Sequence, residues 1–330
     1  MKYFKILLFA VGAWVAADLG RQVGWSTLWD QLLLFRWKLV LIVALIIPKN
    51  IIFTYVWDMW LKARNHYQPF WTLFRFKVME SAVNSMSPLH VVGGDLIRIT
   101  LLKEHMPLKD ASCAVLLDRL SQVVSGILLV LISLVFAFGM YPQLHPIFWA
   151  GLGIFGAVMG AGTALFCFRN RFYSFWKFQW VRKLNSLDDE MWTFLKSHKG
   201  LFAKTTLLTL VGRFFSPLEI FLILFFFHFT GPNAVFSLVL SGASNFITTI
   251  FTFVPGQLGV MEGSFTLLFK LAGFSVALGM ACQLIRRINA LVWISIGTVM
   301  LLMGRRQTAI VAAAAPKSPQ TVPSSVSVPQ

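Results

Sequence analysis

The stretch CAVLLDRLSQVVSGILLVLISLVFAFGM, Cys113–Met140, decides the fold class. From Leu120 to Met140 it holds no Asp, Glu, Lys or Arg. An α-helix rising about 1.5 Å per residue crosses about 30 Å of hydrocarbon with such a run. Comparable apolar runs recur at Phe4–Ala17, Leu39–Trp60, Pro146–Phe168, Thr205–Phe229, Ala234–Val254, Ser264–Gln283 and Ile288–Met303, with a weaker one at Phe70–Val92. Of the 330 residues 57% are hydrophobic and 13% charged, and the mean hydropathy is +0.71. Soluble domains carry roughly a quarter charged residues. The composition therefore predicts an all-α polytopic membrane protein with about seven to nine membrane segments and excludes a soluble enzyme.

Cys113, Cys167 and Cys282 lie in or beside apolar segments without paired spacing, which suits packing rather than a disulfide framework or a zinc site. The six histidines are scattered, and neither HExxH nor a GxxxxGK[ST] loop occurs. No metal, cofactor or ATP-driven chemistry is expected, and no nucleic acid. Lys2 and Lys5 precede an apolar run ending in Ala13-Trp14-Val15-Ala16-Ala17. A retained first helix is the expected reading, with a cleaved signal peptide as the alternative.

The net charge of +16 carries orientation, because Lys and Arg accumulate on the cytoplasmic side. Arg169–Lys204 holds eight basic residues, whereas the loops Tyr141–His145 and Thr230–Asn233 hold none. The first is placed inside and the other two outside, which puts both termini in the cytoplasm of a bacterial-type plasma membrane. The region Phe70–Asp110 must then cross an even number of times, yet it contains Glu80, Asp95, Arg98, Lys103 and Glu104. Re-entrant or broken helices accommodate that better than two lipid-facing spans. In the basic loop 169–204, Trp176, Trp180, Leu184, Leu187, Met191 and Leu195 recur at helical spacing. This predicts an amphipathic helix lying on the membrane, or alternatively docked on its own membrane domain. The tail 307–330, rich in Ala, Pro, Ser and Val, cannot bury a core and is expected to be disordered.

Two passages place Pro, Gly and charge inside apolar surroundings: SPLHVVGGDLIR, Ser87–Arg98, and VPGQLGVMEG, Val254–Gly263. A gapless shift of 167 residues lays Pro88 on Pro255, Asp95 on Glu262, Lys103 on Lys270 and Arg119 on Arg286. Within a transmembrane domain at 1–306 the shift implies half-repeats at about 36–140 and 203–306, and the loop charges orient them oppositely. An inverted repeat of this kind places a shared site near the bilayer midplane. Gly93, Gly94, Gly256 and Gly259 permit tight backbone, and Pro255 frees a carbonyl. Arg98, Arg119, Arg286 and Arg287 are permanent cations suited to phosphate, with Asp95 and Glu262 as counter-charges. The arginines could instead snorkel from helix ends, and the carboxylates could serve as structural ion pairs or helix caps. Lys49 and Asp58 beside Pro48, and Arg213 and Glu219 beside Pro217, add polar groups to two kinked spans.

The sequence Pro88-x-x-x-x-Gly-Gly-Asp-x-x-Arg98, then Leu117-Asp118-Arg119, then Pro255-Gly-x-x-Gly-x-x-Glu262 and Arg286, resembles the flippase-like membrane region of lysylphosphatidylglycerol synthases and its stand-alone relatives over residues 1 to about 305. The resemblance implies translocation of lipids between leaflets, with substrates ranging from aminoacylated phosphatidylglycerol to isoprenoid-linked sugars and hopanoid lipids. It assigns the headgroup site to Gly93, Gly94, Asp95, Arg98, Asp118, Arg119, Pro255, Gly256, Gly259, Glu262, Arg286 and Arg287. No aminoacyl-transfer domain follows the last span in this sequence, and Gln257 stands where relatives commonly have a small residue. The expected function is a lipid translocase, not an enzyme, whose partners are anionic or phosphate-bearing lipids. The alternatives are a membrane-embedded glycosyl- or aminoacyl-lipid transferase and a non-transporting partner of a lipid-modifying enzyme such as a glycosyltransferase.

Overall fold

The computed structural model describes residues 37–86, 92–140, 189–251 and 259–314 and a few single positions, with side chains to Met303. The apolar runs Phe4–Ala17 and Pro146–Phe168, the reading of the first twenty residues, and most of the tail fall outside the described residues.

Two broken helices open the two halves. Helices α1, Lys38–Ala44, and α2, Ile46–Ala63, are separated at Leu45. Later, α6, Lys199–Arg213, and α7, Phe215–Phe226, are separated at Phe214. In each case a proline follows within one turn. Pro48 has no amide hydrogen to donate to the Ala44 carbonyl, nor Pro217 to that of Arg213, so each helix loses a rung at its break.

Each broken helix leads into a hairpin of unequal arms. Helix α3, Phe70–Met86, packs on α4, Val92–Leu102, and α8, Asn233–Ile250, packs on α9, Val260–Leu271. The short arms have 11 and 12 residues. At about 1.5 Å per residue they reach only about half the hydrocarbon thickness. These are the broken passages that the charge content of Phe70–Asp110 demands. Long helices close both halves: α5, Leu108–Met140, and α10, Val276–Ala314. Among the described residues five helical paths are long and apolar enough to cross a membrane: Lys38–Ala63, Leu108–Met140, Lys199–Phe226, Asn233–Ile250 and Val276–Met303.

The 167-residue shift carries α1 to α5 onto α6 to α10 in order. The packing follows it. Contacts α3–α10, α5–α6, α2–α6, α2–α3, α3–α4, α4–α5, α2–α5 and α1–α2 each have their counterpart: α8–α5, α10–α1, α7–α1, α7–α8, α8–α9, α9–α10, α7–α10 and α6–α7. The two halves are thus related by exchange, and α3–α10 with α8–α5 form the principal seams between them. Small residues permit the close approach. A Cβ at Gly297 would come within 2.6 Å of the Val78 carbonyl on the first seam, and one at Gly242 within 2.3 Å of Ser133 on the second. In lipid, where apolar surface gains little from helix association, such contacts supply the packing.

One expectation is corrected. Ser264–Gln283 and Ile288–Met303 are not separate spans. The chain turns at Gly273, whose φ is 80°, with the Phe274 amide donating to the Phe269 carbonyl at 2.8 Å, and α10 then runs unbroken through Arg286 and Arg287. The interruption read from two adjacent charges is a mid-helix site, so these arginines do not snorkel from helix ends. The helical stretch 189–197 docks on the membrane domain, with Leu195 buried against Val56, Trp60 and Leu117. Arg64, at the end of α2, bridges Asp110 of α5 and Glu190 of this stretch, 2.5 Å from each. Trp176, Trp180, Leu184 and Leu187 fall outside the described residues.

Candidate functional site

In the first half the site is built on the short arm α4. The Asn84 carbonyl oxygen accepts the Gly94 amide at 2.9 Å, and a Cβ at 94 would meet the Asn84 side chain at 2.7 Å. Glycine lets α4 start close against α3, which brings Asp95 and Arg98, one turn apart, up to α5. Arg98 is fully buried. Its Nη1 donates to Asp118 Oδ2 at 2.6 Å and its Nη2 to Asp95 Oδ1 at 3.0 Å, while Nε lies 3.2 Å from Glu80 Oε2. The guanidinium stacks over Trp57, 4.7 Å from the ring centroid. Lys77 sits 2.9 Å from Glu80 and 3.7 Å from Asp118, and Gln122 donates to Asp118 at 2.9 Å. Arg119, on the next position of α5, reaches Asp95 at 3.8 Å and is partly exposed. Buried charges need partners and hydrogen bonds to be tolerated; here ion pairs surround Arg98, while Glu80 Oε2, Arg98 Nε and Asp118 Oδ1 make no hydrogen bond among the described residues.

In the second half the equivalent arm α9 begins at Gly259, whose φ is 78° and whose amide donates to Glu262 Oε2 at 2.9 Å. Glu262 caps its own helix and at the same time pairs with Arg287 of α10. Arg287 Nε donates to Oε1 and Nη2 to Oε2 at 3.0 Å, a forked arrangement, and Nη2 also reaches the Gln257 carbonyl at 3.1 Å. Arg286 turns the other way, to Ser244 at 3.3 Å, Gln283 at 3.2 Å and Glu219 at 3.6 Å, with its guanidinium over Phe265. Glu219 accepts from Asn289 at 2.6 Å. Gln257, the departure from the glycine-rich pattern, adopts φ 51° and bonds back to Thr248, tying the α8–α9 turn to α8.

Asp95 and Glu262 therefore hold equivalent places, each on the first turn of a short arm and each paired with an arginine of the following long helix. The shift predicted Arg119 and Arg286 as equivalents. The ion pair matching Arg119–Asp95 is made by Arg287, and Arg286 serves Glu219 instead. Gly93 is half-buried on the first turn of α4. Pro88, Pro255 and Gly256 fall outside the described residues.

A further polar contact joins the two halves. Arg213, at the α6 break, donates to Ser125 Oγ at 2.9 Å and Asn245 Oδ1 at 3.2 Å, and to the Gln122 carbonyl at 2.5 Å. It thereby bridges α5 and α8 over Gly126, where a Cβ would approach the guanidinium to 3.2 Å. Lys49, just past the α1–α2 break, lies in the field of Glu219, Arg213, Arg286 and Lys77. Sequence reasoning left Lys77, Gln122 and Asn289 out of the site and treated Glu80, Glu219, Lys49 and Arg213 only as polar groups in kinked or charged segments. Lys77 and Glu80 stand three apart on one helix face, the signal that could have found them. Among the described residues no group of three or more His, Cys, Asp or Glu could hold a metal ion.

No curated protein and no solved structure matches the chain. The family model described as the lysylphosphatidylglycerol synthase TM region matches residues 3–297, which includes both short arms, all of α5 and the arginine-bearing part of α10. The chain belongs to the lysylphosphatidylglycerol synthase transmembrane-region family and is a multi-pass membrane protein of lipid metabolism.

Proposed function

We propose that the protein translocates a phosphate-bearing phospholipid or isoprenoid-type lipid between the leaflets of a bacterial plasma membrane. The observation that carries this reading is the pair of ion-paired short helices, one in each half, each packed between its half's hairpin arm and closing long helix, the elements that also form the α3–α10 and α5–α8 seams. A headgroup needs polar partners wherever it crosses hydrocarbon, since a charge at the bilayer centre costs at least about 2.5–3.5 kcal/mol. Charged groups spread from Asp95 to Glu262 offer such partners step by step, while the acyl tails stay in lipid. The exchangeable ion pairs are those with partial exposure. Arg119–Asp95 and Arg286–Glu219 are looser, at 3.8 and 3.6 Å, than the sealed Arg98–Asp118 pair at 2.6 Å. Arg119 and Arg286 are the groups able to leave a carboxylate for a phosphate, and Arg98 holds the first half together.

Reconstitution into liposomes with lipids whose headgroup can be quenched from outside tests the reading. The purified chain should speed headgroup exchange well above that of protein-free vesicles, and Arg119→Ala combined with Arg286→Ala should abolish most of the gain. Exchange at the protein-free rate, with a lipid-modifying enzyme copurifying, would favour the partner reading instead.

A further inference from the structure

The five carboxylates of the site and five of its cations match one to one: Glu80 with Lys77, Asp118 with Arg98, Asp95 with Arg119, Glu219 with Arg286 and Glu262 with Arg287. Lys49 and Arg213 are left over. Among the described residues neither has a carboxylate within ion-pair distance. Among the described residues Arg213 is held by neutral acceptors, and Lys49 meets the Phe53 ring, 5.9 Å from its ammonium. Glu219, a carboxylate whose field reaches Lys49, is already taken by Arg286 and Asn289.

The two cations come from opposite halves. Lys49 stands on α2 within a turn of the first helix break, and Arg213 is the last residue of α6 before the second. Helices α2 and α6 pack directly, with Gly212 receiving Phe53, so both positive groups belong to one junction. Lys49 also faces the like charges of Arg213, Arg286 and Lys77, and Arg213 that of Arg119. Two uncompensated cations crowded by others at membrane depth are costly unless an anion joins them.

We propose that Lys49 and Arg213 form a resting seat for the lipid phosphate, distinct from Arg119 and Arg286, which it meets in passage, and that the headgroup it takes carries about two negative charges. The assignment rests on the translocation reading only for the ligand being a lipid. A phosphomonoester or diphosphate headgroup, at about −1.5 to −2 for a monoester near neutral pH, balances the excess. A zwitterion or a single phosphodiester leaves it partly uncompensated, and an aminoacylated, net cationic headgroup adds to it. The fixed guanidinium supplies forked donors and the flexible ammonium a mobile point charge.

The test is lipid binding by the purified full chain, read by native mass spectrometry and by lipid-induced thermal shift. The probes are phosphatidic acid, phosphatidylglycerol, lysyl-phosphatidylglycerol and phosphatidylcholine. Phosphatidic acid should bind tightest, and Lys49→Gln with Arg213→Gln should weaken it by at least about tenfold, as expected for losing charge-assisted bonds. The single Lys49→Gln variant removes no hydrogen bond and keeps the test available should the double variant unfold. Equal binding of lysyl-phosphatidylglycerol or phosphatidylcholine, or undiminished phosphatidic acid binding by either variant, would overturn the assignment. Inorganic pyrophosphate competing as well as the lipid would reassign the seat to a soluble anion and also overturn it. Selective binding without leaflet exchange would sink the translocation reading alone, and exchange without any preference for the dianion would sink this one alone.

Discussion

Arg98 has no exposed surface and three carboxylates around it, so its removal strands charge that water cannot reach. Arg98→Met should lower stability by about 3–5 kcal/mol, the range for breaking a buried pair from one side. Thermal unfolding in detergent would show it. Arg98→Lys should recover only part, because an ammonium cannot reach Asp118 and Asp95 in a fork. Arg119→Ala should cost far less stability, since that side chain is partly exposed and its carboxylate lies 3.8 Å away. The sequence marked Asp95, Arg98, Asp118 and Arg119 because charge inside an apolar run needs a reason. It could not say that Arg98 is sealed and Arg119 open, because that depends on which face of α5 meets α4. Glu262 was legible as a charge after a glycine turn. Which of Arg286 and Arg287 pairs with it was left open, since adjacent arginines on a helix point about 100° apart and only packing decides between them.

At the scale of elements, the break prolines and the glycine-bearing turns could be read from composition, and the long helices from hydropathy. The length of α10 could not. Arg286-Arg287 interrupts the apolar run more visibly than Ala272-Gly273 does, yet backbone conformation ends the helix at Gly273 and side-chain pairing carries it past the arginines. The seams are a matter of close packing. Gly297→Val would drive a side chain into the Val78 carbonyl at 2.6 Å, backbone that cannot swing aside. Overpacking of this kind costs about 1–3 kcal/mol, and thermal unfolding should fall accordingly. The docked stretch 189–197 answers to pH. Hydrogen bonds from Lys109 and then Arg64 hold the Glu190 carboxyl below its ordinary value of 4.5. A depressed carboxyl stabilises fully above the unfolded value and loses its contribution as pH falls through the lower folded one. Protection of the 189–197 amides relative to their intrinsic exchange should therefore stay high at neutral pH and fall as the medium is acidified below 4.5. Protection that is flat across the acidic range, or that falls in Glu190→Gln at the same pH as in the unaltered chain, would contradict this.

The whole molecule is two halves of the same helix order, joined by paired contacts that map onto each other under exchange. Four coincident residues in a gapless shift made that order legible in the sequence. The paired seams were not, because contacts between helices far apart in the chain leave no local pattern. Loop charges alone orient the halves oppositely, and this opposition is what would let one site face each leaflet in turn. Tyr67 and Ala234 are equivalent under the 167-residue shift and both exposed, Tyr67 in the turn before α3 and Ala234 on the first turn of α8. The direct measurement is membrane-impermeant maleimide labelling of Tyr67→Cys and Ala234→Cys in intact cells, with the three native cysteines replaced by serine. The account predicts that the cysteine at 234 labels from outside and the one at 67 only after permeabilisation. Labelling of both from the same face would contradict it.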